Sequence, residues 1–181
     1  MIDPLILKTI AIGLALLFIG SARHKLSAPD QFAAVLADYR LMPEIVTRPL
    51  AYLIPLFELA LGFAWLFAVA PRSASIISIA LLSIYASAIA INLLRGRSYI
   101  DCGCGFGVAS ARQQALSLSL VLRNIGLIGL AGLILLPAAD RVIGVTDYVV
   151  IFVALLIAIL LYAASGQLIN NWVAIQSWRG K

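Results

Sequence analysis

Five apolar runs, each close to the length needed to cross a bilayer, leave this chain few ways to fold. They cover residues 5–21, 50–70, 73–94, 113–136 and 147–166. A helix spanning the hydrocarbon needs about 20 predominantly apolar residues, and only helices and closed barrels satisfy their backbone groups there. Composition agrees: of 181 residues 63% are hydrophobic and 12% charged, against about half and about a quarter in soluble domains. That excludes an ordinary soluble globule and a disordered chain, and two cysteines are too few for a disulfide-stapled scaffold. The expectation is a single all-α integral membrane domain, residues 1–181.

The net charge of +5 reads as topology rather than as affinity for nucleic acid, because most Lys and Arg lie in breaks between the runs. One side collects Arg23, Lys25, Arg40, Arg48, Arg95, Arg97, Arg112, Arg179 and Lys181, the other Lys8, Arg72 and Arg141. This asymmetry predicts an N-terminus outside, a C-terminus in the cytoplasm and a cytoplasmic connection between the third and fourth runs. The first run carries Asp3 and Pro4 before it and its basic residues after it, which suits a retained helix rather than a cleaved signal peptide.

Between the first two runs, Ser27, Pro29 and Asp30 form a helix-start signal. Phe32, Val35, Leu36 and Tyr39 then recur on one face, and Pro43 ends the pattern. A short amphipathic helix is predicted here, either lying on the headgroups or packing as a lid over the bundle mouth. Gly126, Gly129 and Gly132 would let another helix approach the fourth run closely. Trp172 and Trp178, followed by Arg179 and Lys181, read as an interfacial anchor.

The sharpest chemical signal is Asp101-Cys102-Gly103-Cys104-Gly105-Phe106-Gly107, which holds both cysteines of the chain. Gly103 supplies the freedom a tight Cys102–Cys104 ring would need, and strained, exposed disulfides are the exchangeable ones. Arg95, Arg97 and Arg112 flank the segment, and nearby positive charge favours thiolate. Asp101 opposes that effect or accepts a proton during exchange. Two other readings stay open: a soft-metal site for copper(I) or mercury, and an inert or docking turn in a membrane assembly factor.

Within the runs lie Glu58, Asn92, Arg123 and Asn124. Intramembrane ionisable groups face the bundle interior and pair, so a Glu58–Arg123 ion pair is expected. The functional counterpart is a polar pocket for a quinone headgroup or a proton path beneath the cysteine segment, using a carbonyl freed by Pro55. His24, the lone histidine, is either polar surface or a proton donor to thiol exchange.

Gly20, Lys25-Leu26, Phe32, Tyr39-Arg40-Leu41-Met42-Pro43, Leu53-Ile54-Pro55, Glu58 and Leu61-Gly62 together resemble the DoxX-like membrane proteins. With the Asp-Cys-Gly-Cys-Gly-Phe-Gly segment, the chain resembles the MauE (methylamine utilization protein) branch over about residues 5 to 136. The resemblance implies a four-helix transmembrane bundle with a fifth helix added, in the inner membrane of a bacterium. It also implies a role in maturing periplasmic proteins beside a thioredoxin-like partner, which in the founding system serves disulfide formation in the small subunit of methylamine dehydrogenase. Carried over residue by residue, the paired cysteines are Cys102 and Cys104. A periplasmic partner would want them outside, whereas the charge count puts them inside.

Overall fold

The computed structural model describes residues 2–97, 116 and 118–179. Asp101, Cys102 and Cys104 lie outside the described residues. Six helices follow in order: α1 (Pro4–Ser27), α2 (Pro29–Asp38), α3 (Glu44–Leu66), α4 (Pro71–Leu94), α5 (Leu118–Leu133) and α6 (Val145–Arg179). Among the described residues there is no strand, only one isolated bridge between Ile2 and Ala138. By length and composition α1, α4 and residues Ile45–Leu66 of α3 can cross a membrane, whereas the described apolar stretches of α5 and α6 are shorter. The chain is an all-α membrane protein. Large apolar side chains such as Leu53, Phe57, Ile84, Leu122 and Phe152 face outward, while several polar ones are enclosed. A soluble fold would place them the other way round.

α1 packs chiefly on α3, and α4 on α5. Gly62 makes the first pairing possible, because a Cβ there would stand 2.7 Å from Ile19 Cγ1 and 3.3 Å from the Ala15 carbonyl oxygen. One core joins Leu14, Ala15 and Phe18 of α1 to Leu61 and Trp65 of α3, Ala74 and Leu82 of α4 and Ala131 of α5. The Trp65 indole N–H donates to Ser78 Oγ at 2.9 Å, and the Ser75 hydroxyl donates to the Ala131 carbonyl at 2.7 Å. These bonds satisfy polar atoms that lipid could not. The glycines expected to admit a helix do not: an added Cβ at Gly126, Gly129 or Gly132 meets nothing within 4 Å.

The amphipathic segment is helical where its periodicity predicts, and its apolar face packs against other helices. Val35 and Tyr39 of α2 join Ile89 of α4 and Leu116 and Leu120 in a second core. The cap differs from expectation. Ser27 still belongs to α1, where its hydroxyl donates to the Arg23 and His24 carbonyls at 2.9 Å. Ala28, without a side-chain cap, precedes Pro29 instead.

α1 also runs six residues past its apolar run, to Ser27. At the opposite end the start of the chain is clasped to the α5–α6 connection. Ile2 N–H donates to the Pro137 carbonyl and Ala139 N–H to the Ile2 carbonyl. Arg141 bridges Asp3 and Asp147 at 2.7 and 2.5 Å. Asp3 also caps α1, accepting from Leu5 N–H at 2.8 Å, and that bond together with the Arg141 guanidinium holds its carboxyl below the usual carboxylate value.

Candidate functional site

The inner faces of the helices meet around one carboxylate. Glu58 of α3 is 1% exposed, and its partner is Lys25 of α1, not Arg123: Lys25 Nζ lies 2.5 Å from Glu58 Oε1, with Lys25 itself 4% exposed. The expected Glu58–Arg123 pair is therefore corrected. A long cationic side chain one turn from a helix end can reach inward as readily as it snorkels outward, and here it follows the stripe of Leu14, Phe18 and Ala22 that buries α1.

Two hydroxyls complete the shell. Tyr85 of α4 donates to Glu58 Oε1 at 2.7 Å, and Ser21 of α1 donates to Oε2 at 3.2 Å and Oε1 at 3.3 Å. Lys25 Nζ also reaches the Tyr85 hydroxyl at 3.5 Å. It faces the Tyr85 ring at 4.8 Å and the Phe32 ring of α2 at 5.1 Å, both within cation–π range. The ammonium thus sits between a carboxylate and two aromatic rings. An ion pair in hydrocarbon needs such extra partners, because Coulomb attraction alone does not reliably offset desolvation.

Beside the pair lies a cavity of about 30 Å³, bordered by Ser21, Lys25, Glu58, Tyr85, Arg123 and Asn124. Arg123 and Asn124 border this space together with Glu58. Pockets for drug-sized ligands measure roughly 300–1,000 Å³, so the quinone headgroup considered from sequence does not fit this cavity as it stands. A water molecule does. The Ala51 carbonyl, which loses its usual helical donor to Pro55, is not part of the lining.

The remaining candidates are placed elsewhere. Asn92 is fully buried on α4, seven residues beyond Tyr85, about 10.5 Å along the same helix face. It does not border the cavity. Its amide N–H donates to the Ala88 carbonyl at 3.1 Å, while among the described residues its Oδ1 accepts no hydrogen bond. His24 is exposed and is not brought to the pair. Among the described residues no three His, Cys, Asp or Glu side chains gather as a metal site.

Sequence reasoning missed Ser21, Lys25, Phe32 and Tyr85 as members of the site. A signal for Lys25 was present. It stands four, seven and eleven residues after Ser21, Phe18 and Leu14, the spacing of one helix face, but the run Arg23-His24-Lys25 reads as interfacial charge.

The family model described as "Methylamine utilisation protein MauE" matches residues 3–137, a stretch holding every residue of this site and both cysteines. The methylamine utilization protein MauE of Paracoccus denitrificans is 38% identical over 141 residues, 77% of this chain and 74% of that protein. The MauE protein of Paracoccus versutus is 34% identical over 92% of this chain and 88% of its own length. That of Methylorubrum extorquens is 36% identical over 90% of this chain and 87% of its own. No solved structure matches the chain significantly. An all-helical membrane chain matched from Asp3 to Pro137, with relatives of this similarity along most of its length, belongs to the methylamine utilisation protein MauE family.

Proposed function

We propose that this protein is a membrane thiol–disulfide redox protein serving methylamine utilisation, in which Cys102 and Cys104 alternate between dithiol and disulfide. One observation carries the reading: both cysteines of the chain stand one residue apart in the connection between α4 and α5, inside the stretch that matches the family. In the oxidising direction a thiolate of the client protein attacks the Cys102–Cys104 disulfide and forms a mixed disulfide. The client's second thiol then resolves it. Two electrons and two protons pass to the cysteine pair, and the client gains an S–S bond. A thioredoxin-like partner in its disulfide form takes both electrons and both protons back. Asp101 is the proton acceptor nearest in sequence to this exchange.

In the same reading α1, α3, α4 and α5 form the four-helix core of a DoxX-like bundle, with α6 added. The protein lies in the bacterial inner membrane with its N-terminus outside. Burial of Lys25 removes one cation from the topology count, and the remaining eight against three support a cytoplasmic cysteine connection.

The test is alkylation of Cys102 and Cys104 in intact cells and in membranes, read as a mass shift with permeant and impermeant reagents. A reversible mixture of reduced and oxidised forms is expected, lost in Cys102→Ser and in Cys104→Ser, and the reagent that reaches it reports the side. Thiols that stay reduced under mild oxidant would overturn the redox reading. Stoichiometric copper(I) or mercury binding lost in either variant would put a soft-metal protein in its place.

A further inference from the structure

Among the described residues the Lys25–Glu58 pair leaves hydrogen-bonding positions unfilled, and both residues border the same small space. An ammonium carries three N–H bonds; those of Lys25 reach Glu58 Oε1 and, at 3.5 Å, the Tyr85 hydroxyl. A carboxylate has about four acceptor positions. Oε1 accepts from Lys25, Tyr85 and Ser21, whereas among the described residues Oε2 accepts from Ser21 alone. The cavity of about 30 Å³ touches Lys25 and Glu58 together. Its volume exceeds the roughly 10–15 Å³ that one water needs, and its polar border exceeds the two to four partners a buried water requires.

We propose that this cavity binds a single water bridging Lys25 Nζ and Glu58 Oε2, and that the water makes the buried pair a proton-exchange site. The ligand is water and the proton it carries. In the exchange step one Lys25 N–H bond breaks as an O–H bond forms on the water, and another O–H bond of that water breaks as Oε2 gains a proton. Amine and carboxyl are then both neutral and no electron has moved. Replacement of the water by another carries isotope between the pair and bulk solvent.

Three groups stand around the pair and its cavity. Arg123 of α5 borders the cavity, Tyr85 of α4 bonds both partners, and α2 presents only the Phe32 ring. α6 meets α1 far away, with Leu155 beside Gly13. A purely structural ion pair would gain little over a well-packed apolar pair, so a pair kept beside a water-sized polar space points to use of its proton.

The proposal stands on the cavity and not on the cysteines. Its test is infrared difference spectroscopy of the full-length protein in lipid nanodiscs during transfer from H₂O to D₂O. The Glu58 band is identified by its loss in Glu58→Gln and its displacement in Glu58→Asp. In the wild type the band should respond to deuterium without unfolding. Leu127→Phe or Leu17→Phe, each filling the cavity from its apolar wall, should slow that response about tenfold or more, the weight of one lost hydrogen bond. A Glu58 band that does not respond in the wild type overturns the proposal. So does an unchanged rate in a cavity-filled variant that still folds. The Cys102→Ser/Cys104→Ser double variant should exchange as the wild type does, and exchange that vanishes with the cysteines would overturn assignment to the pair.

Discussion

Lys25 Nζ and Glu58 Oε1 stand 2.5 Å apart, thirty-three residues distant in the chain, with both side chains almost wholly withdrawn from the surface. Removing one partner strands the other charge among apolar neighbours. Lys25→Met and Glu58→Met should each lower stability by about 3–5 kcal/mol, whereas the Lys25→Met/Glu58→Met double variant should recover most of the loss. Denaturant unfolding of all four proteins in one detergent gives the coupling energy. Additive losses would contradict the pairing.

Two glycines should respond oppositely to one methyl group. At Gly62 the new Cβ meets Ile19 Cγ1 at 2.7 Å and Ile19 N at 3.1 Å, so Gly62→Ala must shift α1 away from α3, at a cost of about 1–3 kcal/mol. At Gly126 nothing lies within 4 Å, and Gly126→Ala should stabilise by up to about 1 kcal/mol through helix propensity. Thermal unfolding of the two variants checks the contrast. Equal shifts would mean that the α1–α3 contact is looser than described.

α2 is held by Phe32, Val35 and Tyr39 rather than by capping. Val35→Asp would press a carboxylate against Ile89 and Leu120, at a cost above ~1.4 kcal/mol, enough to free the helix locally. Trypsin cleavage after Arg40, an exposed residue with φ of 47°, should then accelerate at least about tenfold, while the long helices stay protected. Unchanged cleavage would mean that the apolar face of α2 does not hold it down.

The terminal clasp should loosen in acid. The Asp3 carboxyl is lowered by the Leu5 N–H and by Arg141, so its contribution is complete above the ordinary carboxylate value and fades as pH falls through the lowered one. Hydrogen exchange at Leu5 and Ala139 should quicken below about pH 4, and Asp3→Asn should abolish that dependence. Protection that persists unchanged to about pH 2 would contradict the assignment.

The membrane class was legible because apolar runs of span length have one physical outcome in water and lipid. The amphipathic helix α2 was legible too, since Phe32, Val35 and Tyr39 repeat on one face whichever surface receives them. Glu58 announced itself as an enclosed charge because a carboxylate far from a span end has no water to reach. Its partner was not legible. Charge and depth alone permitted Arg123, and only the azimuth of α1 about its axis, locked where Gly62 lets Ile19 and Ala15 approach α3, turns Lys25 inward.

The amino-acid sequence by itself determined an all-helical membrane chain, the place of its amphipathic helix and a paired-cysteine segment between α4 and α5. Tertiary structure alone decided that Lys25 closes the circuit of Glu58, Tyr85 and Ser21, that the apolar face of α2 packs with Ile89 and Leu120, and that the space beside the pair has room for water rather than a ring. Periodicity records which residues share a face, whereas the distance between two faces depends on how closely whole helices pack.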